Sequence, residues 1–493
     1  MTELRVAFRT LGCKLNQLET ESIADRFAAS GARIVPFESG ADLYVINTCT
    51  VTGKAEQKAR RTIRQALAAC PSSVVLVTGC YAQMDPGAIS ALDQRAVVVP
   101  GDEKARVLDL AAWLDSHWQG HGDLLHAVLE WRSGMSVPST PTAPIASITL
   151  SIPGVTGVTG SASQPGADHF AYHPNAFSFH SRPGLKIQDG CDNRCTYCRV
   201  CIARGSSISL ASPEVLSRVR ALESSGKAEV VLTGVNLAQY RDGNLRFPEL
   251  LRMLHEGTDR IAFRISSYEP EKIDEEFLAA FALPRIRPHV HLALQSGSDS
   301  VLKRMARPYT AARVRQAAAS LRAAKEDPFV GVDLISGFPG ETDVEFAETL
   351  GLCRELDFAW IHAFPFSARP GTKAWDMRPC VPERIAGERV AILGALAHSG
   401  KASFAARQAG KTLDLVLEQS AAESDGLSAP FRFGTSANYL KTCVEGVPPG
   451  IRAGTAVRVL VSADTPENTP ESQVELAPEH SDSDLHARFL GLA

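Results

Sequence analysis

The sequence predicts an α/β protein in three parts: an N-terminal parallel α/β domain over residues 1–132, a central incomplete (β/α)6 barrel over 182–403, and a C-terminal small antiparallel β-barrel over 404–461. Three observations carry this. Apolar strands alternate with helical stretches in the first part, as in parallel sheets. From Leu185 to about Pro382 a strand recurs at regular spacing with helices between. Near the end, two period-two runs bracket an aromatic and basic segment. At 493 residues the chain is too long for one ordinary core, and a soft prior of about 150 residues per domain gives three.

Composition narrows the class. Hydrophobic residues make up 44%, but no apolar run nears the roughly 20 residues of a membrane span. The start Met1-Thr2-Glu3-Leu4 has no basic region followed by an apolar one, so neither a membrane segment nor a secretory signal is expected, and a cytoplasmic location is. Eleven cysteines, an odd number, argue against a closed disulfide framework and for metal binding. The net charge of −4 is dominated by residues 462–493, where seven acids face Arg488 alone. That segment reads as a solvated, disordered acidic tail. The remainder is close to neutral, so charge neither establishes nor excludes an RNA partner.

In the first domain the clearest strands are Arg5-Val6-Ala7-Phe8, Leu43-Tyr44-Val45-Ile46 and Val74-Val75-Leu76-Val77. Each is followed within a few residues by a cysteine: Cys13, Cys49 and Cys80. Open α/β sheets place ligand sites beyond the carboxyl ends of their strands, so these three thiols are expected to converge into a metal site with one open position. The alternative is three ordinary buried cysteines, and Cys70, which follows no strand, shows what an incidental one looks like. Asn16, Glu19 and Ser22 fall at helical spacing after Cys13, either supporting that loop or forming a solvated face. The basic stretch Lys54, Lys58, Arg60, Arg61 and Arg64 suits phosphate contact or a solvent-facing helix equally.

Residues 133–181 turn to Ser, Thr, Pro and Gly with little periodicity and read as a flexible linker, since such a sequence buries too little to offset its ordering entropy. The barrel follows. Its strands are expected at Leu185–Gln188, Glu229–Thr233, Ile261–Ser266, His289–Leu294, Val330–Ile335 and Trp360–Phe364. Polar residues just past barrel strands face one mouth; here they include Asn236, Ser267, Glu269, Ser296, Ser336 and Ser367. Gly234, Ser266, Gln295 and Asp333 are the candidates for contact with a cofactor bound there. His289 and His291 read as hydrogen-bonded core, and Cys353 as helix packing. Cys201, Cys380 and Cys443 have no partner at metal spacing.

The densest signal is Gly190-Cys191-Asp192-Asn193-Arg194-Cys195-Thr196-Tyr197-Cys198. Three thiols at C-x3-C-x2-C spacing can wrap one face of a small inorganic cluster. A closed zinc site or four-iron cluster takes four ligands, so three leave one metal position open. A zinc knuckle completed by Cys201 is the other reading of the spacing.

In the last domain, Thr412–Leu417 and Thr455–Val461 alternate as half-buried strands. Between them, Phe431-Arg432-Phe433 and Tyr439-Leu440-Lys441 interleave aromatic with basic residues. That pattern suits stacking on unpaired bases or, alternatively, a structural barrel packed against the mouth.

The C-x3-C-x2-C frame resembles the radical S-adenosylmethionine (SAM) enzymes, and the whole chain apart from linker and tail resembles their methylthiotransferase family. The matches run in order: Leu11-Gly12-Cys13-Lys14-Leu15-Asn16-Gln17, Asn47-Thr48-Cys49-Thr50-Val51-Thr52, Thr78-Gly79-Cys80, the Cys191 loop, Leu294-Gln295-Ser296-Gly297-Ser298, Gly337-Phe338-Pro339-Gly340-Glu341-Thr342 and Pro365-Phe366-Ser367-Ala368-Arg369-Pro370-Gly371-Thr372. The residues after Cys13 and Cys49 are similar to the branch acting on threonylcarbamoyladenosine in tRNA, next to the anticodon. The isopentenyladenosine and ribosomal-protein branches are the alternatives, and a metal-stabilised RNA-binding protein is the non-enzyme alternative. One departure stands out: family members commonly read Tyr-Cys-Ile-Ile-Pro where this chain has Tyr197-Cys198-Arg199-Val200-Cys201.

The resemblance implies two 4Fe-4S clusters. One, on Cys191, Cys195 and Cys198, reduces and splits SAM to a radical that takes hydrogen from C2 of the target adenosine. The other, on Cys13, Cys49 and Cys80, offers sulfur, and a second SAM gives the methyl. It further implies tRNA as partner, an electron donor of the flavodoxin or ferredoxin type, and a monomer.

Overall fold

The computed structural model describes residues 4–118, 122–134, 169–172, 181–419, 431–463 and 483–493. Most of the expected linker, and the acidic stretch 464–482, lie outside the described residues. The chain divides into two compact units.

The smaller unit comprises Met1–Thr10, Arg26–Thr48 and Arg60–Ala171. Its strands are β1 (Arg5–Thr10), β2 (Arg33–Ile34), β3 (Leu43–Thr48), β4 (Val74–Gly79) and β5 (Ala96–Val98). They form one parallel sheet in the order β2-β1-β3-β4-β5. Every residue of β3 and β4 is buried, which is why these strands read as apolar runs rather than alternating ones. Thr10 pairs with Asn47, and Thr48 with Gly79. The strands therefore end level, as the sequence reading requires, and Cys49 and Cys80 are the next residues after a facing pair.

The larger unit comprises Leu11–Asp25, Cys49–Ala59 and Tyr172–Ala493. This differs from a domain boundary at 132, because the segments bearing Cys13 and Cys49 belong with the barrel. The reason lies in buried charge: Glu19 pairs with Lys186 at 2.9 Å and Glu56 with Arg199 at 3.2 Å.

Six parallel strands make the central layer: β6 (Gly184–Lys186), β7 (Glu229–Thr233), β8 (Ala262–Ile265), β9 (His289–Gln295), β10 (Phe329–Ser336) and β11 (Trp360–Pro365). They form two three-stranded sheets, β8-β7-β6 and β9-β10-β11, linked by a parallel bridge between Tyr268 and Leu292. This is the incomplete six-unit barrel that the sequence predicts, with strand ends differing by a residue or two.

The C-terminal barrel is closed: β12 (Thr412–Leu417), β13 (Phe431–Ser436), β14 (Lys441–Glu445), β15 (Ala456–Val461) and β16 (Leu485–Leu492) run in the order β12-β13-β14-β16-β15. Two expectations are corrected here. The barrel does not stop at 461, and it is not wholly antiparallel: β16 pairs parallel with β14 and antiparallel with β15. Averaging charge over residues 462–493 hid a strand, since the acids end at Asp484 and Leu485 and Ala487 then turn inward. Without β16, β14 and β15 would present open edges.

Phe329, Ala359, Phe404, Leu440, Val461 and Leu485 form one apolar cluster joining this barrel to the central strands. Among the described residues, no helix is long and apolar enough to cross a membrane.

Candidate functional site

The Cys191 loop leaves the barrel just after β6 and is pinned at its neck, where Gln188–Asp189 pairs antiparallel with Ile208–Ser209. Gly190 has φ +67°, and a Cβ there would lie 2.0 Å from the Ser206 carbonyl oxygen. Only glycine fits so close an approach. Inside the loop the backbone is held at several points. The Cys191 amide donates to the Gly205 carbonyl at 3.1 Å and the Thr196 amide to the Met305 carbonyl at 3.1 Å, while the Asp192 amide donates to Gln239 Oε1 at 2.9 Å.

Each sulfur of this loop meets an N–H donor. Asn236 Nδ2 donates to Cys191 Sγ at 3.8 Å, Arg307 Nη1 to Cys195 Sγ at 3.1 Å, and the Val200 amide to Cys198 Sγ at 3.4 Å. Such donors favour thiolate, the form that binds metal. Burial acts the other way, raising Cys191 above its ordinary value and pushing Cys198 up to about 12. An adjacent cationic centre would resolve that conflict, because metal binding requires deprotonated ligands.

Among the described residues, no three His, Cys, Asp or Glu side chains are close enough to hold a single ion. A four-iron cluster asks for a different arrangement, since each thiolate ligates a different iron and the sulfurs surround a volume. Cys201 turns its thiol toward the Cys198 carbonyl at 3.9 Å.

Behind the sulfurs, Glu269 gathers the polar groups of the mouth. It accepts from Asn193 Nδ2 at 3.2 Å and Asn236 Nδ2 at 3.3 Å, and it pairs with Arg307. Burial pushes Glu269 up to about 7, against the pull of Arg307.

The second set of thiols starts at Gly12, with φ +104°, where a Cβ would fall 2.7 Å from Cys49 Cβ. The backbone before Cys13 therefore lies against Cys49. The Val51 amide donates to Cys49 Sγ at 3.5 Å. In the smaller unit, Cys80 opens the helix Cys80–Met84.

Asn16, Glu19 and Ser22 are all buried, so the solvated-face alternative fails for them. Arg204 donates to Asn16 Oδ1 at 2.8 Å and pairs with Glu19 and Asp189, each at 3.1 Å. Lys186 closes the set, 2.9 Å from Glu19 and 2.6 Å from Asp189. This network ties the Cys13 helix to both ends of the Cys191 loop.

A second tie runs through Glu56. It accepts from Thr50 Oγ1 at 2.5 Å and from Arg199 at 3.2 Å, and it also pairs with Arg369. The Gly53 amide donates to Ser367 Oγ at 3.0 Å. Arg199, where the sequence departs from the family pattern, thus connects the turn after Cys198 to the loop after Cys49.

Of the four expected cofactor contacts, Gly234, Ser266 and Gln295 stand at or just past the carboxyl ends of β7, β8 and β9, whereas Asp333 lies within β10, three residues before its end. A Cβ on Gly234 would lie 2.8 Å from Gln188 Oε1, so the glycine is needed there for the close packing of the Gln188 side chain. Ser266 Oγ is buried and has no hydrogen-bond partner among the described residues, as is true of Ser336 Oγ; orphaned hydroxyls of this kind point to a missing ligand. Gln295 adopts φ +66°. Asp333 receives His291 Nε2 at 2.9 Å.

His289 is core, packed between Phe329 and Tyr439. Cys353 is buried in the helix Asp343–Leu356. Lys54, Lys58, Arg61 and Arg64 are exposed, which fits both readings of that basic stretch. In the C-terminal barrel, Arg432 is buried and donates to the Ile451 carbonyl at 3.0 Å, and Leu440 joins the apolar cluster. The structural reading therefore holds for these two residues.

Sequence reasoning missed Arg307, Glu56 and Arg369. Arg307 follows Ala306 at φ +58° and precedes Pro308, but nothing in that short run marks its side chain as buried.

Residues 5–101 match a family model described as Uncharacterized protein family UPF0004, and residues 185–353 match the Radical SAM superfamily. The chain is 44% identical to threonylcarbamoyladenosine tRNA methylthiotransferase MtaB of Treponema pallidum (strain Nichols), covering 85% of this chain and 92% of that protein. It is 34% identical to the protein of the same name in Bacillus subtilis (strain 168), covering 92% and 93%. A tRNA-2-methylthio-N(6)-dimethylallyladenosine synthase of Maricaulis maris (strain MCS10) is 30% identical, covering 85% and 87%.

Proposed function

The chain belongs to the methylthiotransferase family of radical SAM proteins, and from that premise we propose that it inserts sulfur and methyl at C2 of N6-threonylcarbamoyladenosine next to the anticodon of tRNA. The observation that carries this reading is the 44% identity to a relative named for that nucleoside, against 30% for one named for the dimethylallyl nucleoside.

Cys191, Cys195 and Cys198 would hold one 4Fe-4S cluster, and Cys13, Cys49 and Cys80 the other. When bound, the clusters and SAM supply one-electron cleavage of an unactivated C–H bond and the transferred sulfur and methyl, chemistry beyond any side-chain acid or base. The chain's own groups set the stage. Asn236, Arg307 and the Val200 amide stabilise charge on the first three sulfurs. Ser266 and Gly234, with Gln295 and Asp333, line the mouth where SAM would lie; the orphaned Ser266 hydroxyl supports this best. Glu19 and Glu56 fix the loops of Cys13 and Cys49 to the barrel. The donor of electrons in this reading is a small carrier of the flavodoxin or ferredoxin type, the enzyme acts as a monomer, and the reaction runs in the cytoplasm, where the tRNA is.

Mass spectrometry of tRNA nucleosides tests the assignment. Deleting the gene should remove the 2-methylthio form of threonylcarbamoyladenosine and leave its unthiolated precursor. Loss of the methylthio isopentenyl nucleoside instead would overturn it.

A further inference from the structure

We propose that a cavity lined by Lys14, Arg182, Arg264 and Tyr439 is an anion subsite that receives the free carboxylate on the threonyl arm of the substrate nucleoside. This rests on the substrate assignment above and deepens it into a mechanism of selection.

The cavity measures about 320 Å³, at the lower end of the range for small-ligand pockets. Three cations reach it from three separate segments. Lys14 comes from the residue after Cys13, Arg182 from the segment before β6, and Arg264 from within β8. Two of them bracket one phenol: Lys14 Nζ lies 5.5 Å and Arg264 Cζ 5.3 Å from the Tyr439 ring centroid.

The cations are unequally matched. Arg264 is held by Glu229 at 2.7 Å. Arg182 stands farther from its acids, 3.8 Å from Glu229 and 3.4 Å from Glu418. Lys14 is exposed and pairs with no carboxylate among the described residues. Glu21 and Glu418 also line the wall, so the three cations face two carboxylates there, and Glu418 accepts from Thr435 Oγ1 at 2.6 Å as well.

Two neighbouring groups register the resulting potential. Burial alone would raise the Tyr439 phenol, yet Lys14, Arg182 and Arg264 hold it below its ordinary value. Burial lowers the His289 ring, and Arg264 and Lys14 lower it further. An anion placed among these groups is therefore stabilised, and one of the cations that stabilise it, Lys14, directly follows Cys13 in the chain.

The two nucleosides that this family modifies differ at this point. The threonylcarbamoyl arm ends in a carboxylate that is ionised at neutral pH; an isopentenyl arm has no polar atom. A site built to pair with a polar group rejects the analogue lacking it, because its own groups are left unpaired. Backbone phosphate of the RNA is the other anion that could meet Lys14, and an ester of the nucleoside separates the two, since esterification removes the carboxylate and leaves every phosphate.

The test uses the full chain with both clusters reconstituted, and anticodon stem-loop RNAs carrying threonylcarbamoyladenosine, its methyl ester, isopentenyladenosine or plain adenosine. Binding is read by fluorescence anisotropy at one salt concentration, alongside product formation. The wild type should bind the acid about tenfold tighter than the ester, the scale of one charge-assisted hydrogen bond. Lys14→Met and, separately, Arg182→Gln should bring the acid within about twofold of the ester, and Lys14→Arg should restore the preference. Equal binding and conversion of acid and ester by the wild type would overturn the subsite alone. So would a Lys14→Met variant that weakens all four RNAs by one factor, which would assign Lys14 to phosphate. Conversion of the isopentenyl RNA in place of the acid would overturn both the subsite and the substrate assignment.

Discussion

The two sets of cysteines are built by opposite strategies. Cys191, Cys195 and Cys198 share one short loop, closed at its neck by a two-residue ribbon and given an N–H donor at every sulfur. Cys13, Cys49 and Cys80 come from three strand ends separated by more than thirty residues each, and the segments after Cys13 and Cys49 are tied by ion pairs to the barrel. A local loop carries its geometry with it. A dispersed set must borrow geometry from distant buried charges, so it should be the more sensitive to changes that touch no cysteine.

The largest effects should come from the cysteines and should divide by set. Cys195→Ala should abolish both SAM cleavage and methylthiolation. Cys49→Ala should spare cleavage, measured as 5′-deoxyadenosine, and stop methylthiolation. Equal loss of both in Cys49→Ala, with iron still bound at the Cys191 loop, would erase the distinction between the sets.

Next comes the support of the local loop. Arg307→Met leaves Glu269 buried without its cation, a change that costs about 3–5 kcal/mol in comparable buried pairs. It also removes the donor to Cys195. Denaturant unfolding should record the loss in stability, and iron retained per chain should fall at the Cys191 loop first. An unchanged midpoint would show that Arg307 is dispensable there.

The dispersed set is tested by Glu56→Gln. This leaves Arg199 and Arg369 without their shared acid and frees the loop after Cys49 from the turn after Cys198. Both clusters should remain, but cleavage and sulfur transfer should uncouple. A displacement of about 1 Å in reacting geometry can cost up to roughly a hundredfold, so the ratio of 5′-deoxyadenosine to methylthiolated product should rise several-fold. An unaltered ratio would mean that the Glu56 tie is structural only.

This contrast also explains what the sequence could and could not tell. Strands of the barrel were legible where apolar residues cluster: Glu229–Thr233 and Ala262–Ile265 are almost wholly buried, and His289–Gln295 alternates buried with half-buried positions. The Cys191 loop was legible because its ligands are neighbours. Glu56 was not legible, and for Glu19 the supporting role stayed level with a solvated face: a glutamate in a helix is undecided until its partner is known, and Lys186 and Arg199 lie more than a hundred residues away. The strand Leu485–Leu492 was missed for a related reason, since its value lies in closing β14 and β15 rather than in its own short alternation.

The smallest effect should come from a buttress behind the local loop. Glu345 holds Arg304 through two contacts at 2.8 and 3.0 Å, and the Arg304 carbonyl accepts from Thr196 Oγ1 at 2.9 Å. The hydrogen bonds from Arg304, with those from Ser300 and the Thr342 amide, outweigh burial and hold Glu345 at about 2. A carboxyl lowered on folding stabilises the folded state above its unfolded value, about 4.3, and loses that contribution as pH falls through about 2. Glu345→Gln should therefore cost about 1 kcal/mol near pH 7, the scale of a helix cap and an ion pair at the surface. Urea unfolding of the two cluster-free proteins should show the gap narrowing from pH 4.5 downward and vanishing near pH 2. The ratio of 5′-deoxyadenosine to product should not move, because the loop keeps its neck, its glycine and its three sulfur donors. A shift in that ratio as large as that of Glu56→Gln would mean that the local loop, too, borrows its geometry from a distance.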